Sequence, residues 1–109
     1  MIRTQEYRTD DGVSPFARWF ATLDSQAALK VRTAIARMEA GNFSNAKGVG
    51  AGVIECRIDF GPGYRVYFGR DGRHLVILLG GGTKKRQQKD IETAQGYWAN
   101  FRARKRREM

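Results

Sequence analysis

The sequence predicts a small α+β domain: an antiparallel sheet, built from a three-strand meander and an N-terminal strand, with an N-terminal helical hairpin and a C-terminal helix. Three observations predict this class. Apolar residues recur at helical spacing near the N-terminus, alternate with a period of two after residue 52, and return to helical spacing near the C-terminus. With 109 residues, 41% of them hydrophobic, the chain can form one domain with a core, spanning residues 1–109.

The N-terminal part is expected to hold a short strand at residues 2–7 and then two helices. The first helix begins at "SPF", where Ser14 can cap it and Pro15 suits its first position. Asp24 or Ser25 can cap the second helix, and Gly41 is placed to end it. The short connection favours a hairpin. The apolar stripes of the two helices are Phe16, Trp19, Phe20 and Leu23, and Ala28, Val31, Ile35 and Met38.

The stretch "GNFSNAKGVGAG" is expected to be a loop, and the meander follows it from Val53. "GPG" is interpreted as a three-residue turn and "DG" as the second hairpin turn. The first turn would set Asp59 opposite Arg65 and Arg57 opposite Tyr67. The second would set Tyr67 opposite Val76 and Arg65 opposite Leu78.

A last helix is predicted after the glycine triplet at residues 80–82, with Thr83 as its cap. Four apolar residues on one side of this helix would dock on the sheet: Ile91, Ala94, Trp98 and Phe101.

Positive charge is concentrated near the C-terminus. Nine of the twenty Lys and Arg residues lie from Lys84 onward, against three acidic residues, so this part carries +6 of the formal +9. Such asymmetry indicates an acidic partner, which can be nucleic acid, a negatively charged protein or an anionic membrane surface. The alternative is a solvated basic tail, and residues 102–109, "RARKRREM", are a candidate for disorder.

Cysteine and histidine are too scarce for a conventional metal centre. Cys56 is the only cysteine and His74 the only histidine, so we expect no intramolecular disulfide, no metal and no cofactor. The alternation makes Cys56 a small core residue, whereas His74 falls at a turn facing solvent. The N-terminal residues lack the apolar stretch of a signal peptide and no segment is long enough to cross a membrane, so a cytoplasmic protein without membrane attachment is expected.

The candidate site lies on one face of the meander. Arg57, Arg65 and Tyr67 share this face beside the glycine triplet, and Lys84 opens the basic helix. Two guanidinium groups near a helix start suit a phosphate group. Further candidates for RNA binding are Lys85, Arg86, Lys89 and Tyr97, the tyrosine by stacking on an unpaired base.

Structural explanations for the same side chains stay open at this stage. Arg65 can pair with Asp59 across the strands, and Tyr67 can pack against Val76. The stem of Arg57 can cover apolar surface.

The stretch "ECRIDFGPGYRVYFGRDGRHLVILLGGGTKKRQQKDI", together with the earlier "FARWFATL", resembles the RelE/ParE toxin superfamily, and more narrowly its phage-derived addiction module killer protein branch, close to HigB-type toxins. The resemblance implies the toxin of a type II toxin–antitoxin module, neutralised by an antitoxin encoded beside it, for which a helix-turn-helix protein is expected. It implies a metal-independent endoribonuclease that cuts messenger RNA, with or without the ribosome. The alternatives are a ParE-like inhibitor of DNA gyrase, or an inactive relative that binds only antitoxin or nucleic acid.

The resemblance also suggests roles for individual residues. Arg57 and Arg65 match strand arginines that contact the scissile phosphate, and Lys84 matches the lysine of the GG-x-K segment. Tyr67 is the candidate proton-transfer group: its pKa starts near ~10, and we expect nearby cations to lower it. Glu55, on the same face, is a weaker candidate base.

Overall fold

The computed structural model describes residues 1–108. Its elements are β1 Arg3–Glu6, α1 Pro15–Phe20, α2 Ser25–Glu39, β2 Ala46–Gly48, β3 Ile54–Ile58, β4 Tyr64–Arg70, β5 Leu75–Thr83, a 3-10 turn Lys84–Arg86 and α3 Gln87–Glu108. The strands form a five-stranded mixed sheet in the order β1-β5-β4-β3-β2. The helices α1 and α2 pack against one face of this sheet and α3 packs against the other, so the predicted α+β class is confirmed.

The starts of the first two helices agree with their capping residues. The Ser14 hydroxyl accepts a hydrogen bond from the Ala17 amide at 3.0 Å, and Pro15 occupies the first turn. The Asp24 carboxylate accepts one from the Ala27 amide at 2.8 Å, so Asp24 rather than Ser25 caps α2.

The sheet has one strand more than the sequence predicted. β2, within the expected loop, pairs antiparallel with β3, and Ala46 lies opposite Cys56. Its three residues are too few to show alternation, which explains why the pattern did not reveal it. β1 pairs with β5 in parallel, so the sheet is mixed.

The predicted registers of the meander were wrong, although the side chains of β3 and β4 lie on their predicted faces. The first connection spans residues 59–63, so Arg57 lies opposite Arg65 and Glu55 opposite Tyr67. This shift of two residues along the ladder leaves every side chain of β3 and β4 on its predicted face.

In β5 the predicted faces were wrong as well. An irregularity between Tyr67 and Phe68 sets Tyr67 opposite Gly80 and Arg65 opposite Gly82. Val76 and Leu78, which were expected on the face of Tyr67 and Arg65, therefore lie in the core beneath α1 and α2.

Each face of the sheet carries its own apolar core. Cys56 is 5% exposed and lies in the core beneath α1 and α2, as predicted, whereas His74 is exposed. Ala94 and Trp98 are buried on the other face, with Ile91 and Phe101 beside them, which confirms the predicted docking of α3. Thr83 lies at the N-cap position, as predicted, but of a 3-10 turn that precedes α3, and its side chain makes no capping hydrogen bond. The helix α3 itself begins at Gln87.

The C-terminal residues 102–108 are helical and form the end of α3. Within the described residues 1–108, no helix combines the length and the apolar sequence needed to span a bilayer.

Close approach of α3 to the sheet depends on a glycine. A Cβ built on Gly69 of β4 would lie 2.5 Å from ring carbons of Trp98, well inside van der Waals contact. Trp98 is 5% exposed and stacks on Phe101, so its indole has little freedom to move aside. The absence of a side chain at Gly69 therefore lets α3 lie directly on β4.

We predict that Gly69→Ala destabilises the fold by about 1–3 kcal/mol, because the added methyl group overpacks the contact with Trp98. Gly96→Ala is the matched control. Gly96 lies within α3 with no atom close to an added Cβ, and alanine there should stabilise by about 0.5–1 kcal/mol. Urea unfolding measures both, and equal stability of the two variants would contradict the prediction.

Candidate functional site

An open cleft of about 500 Å³ lies where β3 ends and β4 begins, beside the edge strand β2. Four cationic side chains and one carboxylate line it, so its net charge is strongly positive. We call it the cationic cleft. Its lining residues are Ser44, Asn45, Ala46, Lys47, Arg57, Ile58, Asp59, Gly63, Arg65 and Lys84.

The backbone brings the three predicted cations together. Arg57 and Arg65 lie directly opposite each other on β3 and β4. The carbonyl oxygen of Gly63 accepts hydrogen bonds from the Lys84 amide at 2.9 Å and from Nη1 of Arg65 at 3.0 Å. One carbonyl group therefore fixes both the start of the 3-10 turn and the guanidinium of Arg65.

Gly63 itself has a conformation and a position that favour glycine. Its φ angle is +79°, in the left-handed region, and a Cβ there would lie 3.2 Å from Nη1 of Arg65. The "GPG" segment therefore shapes the wall of the cleft as well as the turn.

Arg65 forms the base of the cleft. It is 4% exposed, whereas Arg57, Lys47 and Lys84 are exposed. Behind Arg65 lies the fully buried Glu55, whose Oε1 is 3.8 Å from Arg65 Nε. The alternative that Arg65 pairs with Asp59 was therefore wrong, because the register sets Asp59 in the connection after β3.

Glu55 also connects the sheet to α3. Its Oε2 accepts a hydrogen bond of 2.7 Å from Nε2 of Gln87, the first residue of that helix. Glu55 Oε1 and Arg65 Nε are both buried and have no hydrogen-bond partner within the described residues. Their attraction is thus mainly that of two opposite charges in a medium of low polarity.

Tyr67 lies on the predicted face but outside the cationic cleft. Its ring is 1% exposed within the core under α3, opposite Gly80 and not Val76. Its hydroxyl is buried without a hydrogen-bond partner among residues 1–108. Burial raises the pKa of Tyr67, with Glu55 and Asp90 adding to the effect against the opposing Arg65. The expectation that cations lower this pKa was therefore wrong.

The structure separates the other candidate RNA contacts from the cleft. Lys85, Arg86 and Lys89 are exposed on the 3-10 turn and the first turn of α3, following Lys84, but they do not line the cleft. Tyr97 stacks on Tyr7 at 5.1 Å between ring centroids, with 28° between the ring planes. One face of the Tyr97 ring is therefore already covered.

Sequence reasoning missed the contribution of the β2 edge and of the turn. Lys47 lies opposite Glu55, and the Asn45 carbonyl accepts a hydrogen bond of 3.1 Å from the Arg57 amide. These contacts bring Lys47 and Asn45 to the cleft wall. A lysine in "NAKG" carries no specific signal, and its place depends on the pairing of β2 with β3.

The fold and the cleft together define a class: a small α+β protein with a cationic cleft at one end of its sheet. The family model described as "Phage derived protein Gp49-like (DUF891)" matches residues 18–97. The chain therefore belongs to the phage-derived Gp49-like family. The matched region contains all four cleft cations.

A relative from Haemophilus influenzae (strain ATCC 51907 / DSM 11121 / KW20 / Rd), described as "Uncharacterized protein", is 44% identical over 81 residues. The match covers 73% of this chain and 82% of the relative.

We predict that Tyr67→Phe keeps or raises stability at neutral pH, since it removes a buried hydroxyl with no partner. The raised pKa of Tyr67 also makes the stability of the wild type depend on pH. The stability that comes from keeping the Tyr67 hydroxyl neutral is fully present below the unfolded pKa of ~10 and is lost as pH rises through the higher folded pKa. The stability advantage of the variant should therefore grow above pH ~10.

Tyr7→Phe is the matched control for this prediction. The Tyr7 hydroxyl donates to Asn100 Oδ1 at 2.7 Å, so its removal should cost about 1 kcal/mol. Urea unfolding of both variants at neutral and alkaline pH measures the effects. A large loss of stability in Tyr67→Phe at neutral pH would contradict the unpaired state of its hydroxyl.

We predict that Arg65→Met destabilises the fold by roughly 3–5 kcal/mol, because it leaves the Glu55 carboxylate buried without its cation. Adding Glu55→Gln removes that charge and should restore much of the loss, since glutamine can still hydrogen-bond to Gln87. A double-mutant cycle in urea measures the coupling. Additive effects of the two changes would contradict the ion pair.

Proposed function

We propose that this protein is the toxin of a type II toxin–antitoxin module and that it cleaves messenger RNA in the cationic cleft without a metal ion. The observation that supports this most is the gathering of Lys47, Arg57, Arg65 and Lys84 around one open cleft. An RNA backbone carries one negative charge per nucleotide, and such a cleft binds it.

The family supports the toxin part of the proposal. The chain belongs to the phage-derived Gp49-like family, and its "FGPGYRVYFGRDGRHLVILLGGGTKK" stretch resembles addiction module killer proteins of the RelE/ParE superfamily. Toxins of this superfamily divide into RNA nucleases and gyrase inhibitors. The cationic cleft favours the nuclease, since an inhibitor needs a binding surface but no phosphate pocket.

The cleft offers the charge stabilisation that RNA cleavage requires. When a 2′-oxygen attacks the adjacent phosphorus, negative charge increases on the non-bridging oxygens. The guanidinium groups of Arg57 and Arg65 can hold those oxygens through paired hydrogen bonds. Arg65 is held in place by Gly63 and Glu55, so its charge is oriented before the substrate arrives.

Proton transfer must use groups on the cleft wall. Asp59 is the carboxylate that lines the cleft, and we assign it the role of accepting the 2′-hydroxyl proton. The ammonium group of Lys84 or Lys47 can donate a proton to the leaving 5′-oxygen. Tyr67 does not take part in this arrangement, because its hydroxyl is buried outside the cleft. One carboxylate among four cations is also a poor site for Mg²⁺, which prefers several oxygen ligands.

We predict that Arg57→Gln and Lys84→Gln each reduce RNA cleavage by roughly 100-fold, the usual effect of removing one group that stabilises developing charge. Both side chains are exposed, so stability should change by less than about 0.5 kcal/mol. The measurement maps new 5′ ends on messages in a translation mixture. Asp59→Asn should also lower cleavage, because it removes the carboxylate that accepts the 2′-hydroxyl proton.

Arg18→Gln is the matched control, because it removes one exposed charge on α1, against the opposite face of the sheet. It should cleave like the wild type. The nuclease assignment would be overturned by wild-type protein that leaves messages intact, or by equal activity of Arg57→Gln and the wild type. A DNA supercoiling assay should accompany the cleavage assay. Inhibition of gyrase while messages stay intact would indicate the ParE-like activity.

A further inference from the structure

A second recess lies at the other ends of β3 and β4, far along the strands from the cationic cleft. It has a volume of about 520 Å³ and lies between the sheet and the C-terminal half of α3. We call it the α3 groove. Its lining residues are Gly52, Ile54, Arg70, Asp71, Trp98, Phe101, Arg102, Lys105 and Arg106.

The floor of the α3 groove is apolar. The rings of Trp98 and Phe101 stack with centroids 5.3 Å apart and 7° between their planes. These α3 residues and the cations at 102, 105 and 106 fall at helical spacing, on one side of the helix. The floor and the cations therefore face the same space.

The rim of the groove carries excess positive charge. Asp71 pairs with Lys105, so those two charges offset each other. Within residues 1–108, neither Arg102 nor Arg106 forms an ion pair. The guanidinium of Arg70 lies over the Phe43 ring, 4.5 Å from its centroid, and donates to the Arg73 carbonyl, so it lies on the side of the sheet that α1 and α2 cover. Two cations, Arg102 and Arg106, thus stay without a carboxylate beside the apolar floor.

We propose that the α3 groove binds an acidic segment of a protein partner, with one bulky apolar side chain on the Phe101 floor and carboxylates at Arg102 and Arg106. Residues i and i+4 of a helix lie about 5–6 Å apart, a spacing that carboxylates one helical turn apart on a partner helix can match. An apolar anchor surrounded by charge-paired residues is the usual anatomy of a protein interface. The proposal does not depend on RNA cleavage in the cationic cleft.

The same observations favour a protein segment over RNA in this groove. Stacking of a base requires an exposed ring face, but Trp98 is only 5% exposed and its ring covers one face of Phe101. A recessed apolar floor suits a leucine or an aromatic side chain better than a polar ribose and phosphate. RNA is therefore the rival outcome of the test.

The test compares Arg106→Glu with Arg107→Glu in the full chain. Both variants reverse one exposed charge at the same end of α3, but only Arg106 lines the groove. The probe is a fluorescein-labelled amphipathic peptide of glutamate and leucine, followed by fluorescence anisotropy. We expect wild-type protein to bind it, Arg106→Glu to bind at least about tenfold more weakly, and Arg107→Glu to change by less than about threefold. Replacing the leucines by serine should abolish binding.

A parallel measurement uses labelled oligouridine as the probe. It distinguishes RNA binding in the cationic cleft from protein binding in the α3 groove. Arg57→Gln should bind the peptide normally whether or not the cleft cleaves RNA, so each proposal can fail alone. The proposal for the α3 groove would be overturned by equal effects of Arg106→Glu and Arg107→Glu, or by wild-type protein that does not bind the peptide. Loss of oligouridine binding in Arg106→Glu with peptide binding retained would assign the groove to RNA and also overturn it.

Discussion

The arrangement of the cationic cleft depends on one buried ion pair, between Arg65 and Glu55. Both charged groups are removed from water in the layer between the sheet and α3. Burying either charge alone would be costly, so each stabilises the presence of the other. Glu55 also binds Gln87, and Arg65 binds the Gly63 carbonyl. The pair therefore connects the β3–β4 turn, the base of the cleft and the start of α3.

Glycine residues allow the layers around this pair to approach closely. Gly69 lies under Trp98, Gly81 lies under Trp19 on the other face, and Gly82 faces Asp90. Aromatic and acidic side chains thus contact the strand backbone directly, and both faces of a thin sheet are covered by helices. The glycine triplet of β5 belongs to this packing, and it precedes the turn that presents Lys84.

The two recesses differ in chemistry although both are cationic. The cationic cleft combines exposed charges with polar groups of β2 and has a buried arginine at its base, which suits phosphate oxygens. The α3 groove combines charges with stacked aromatic rings, which suits a protein segment. Because they lie at opposite ends of β3 and β4, the proposed RNA substrate and the proposed protein partner would occupy separate places.

Periodicity and turn residues were sufficient to predict the α+β class, the capping of α1 and α2, the faces of the side chains of β3 and β4, and the docking side of α3, because these features depend on neighbours in sequence. The faces of β5 were missed, because an irregularity in its pairing with β4 shifts the alternation by one residue. The placing of Arg57 and Arg65 on one face followed from the same alternation, whereas Lys84 was expected nearby from its position after the glycine triplet and from the family resemblance. The register, strand β2, and the partner of Arg65 depended on the lengths of turns and on packing between distant segments. Burial is likewise a property of the assembled layers, so only the tertiary structure showed that Tyr67 has a raised pKa and lies outside the cleft, while Lys47 and Asp59 line it.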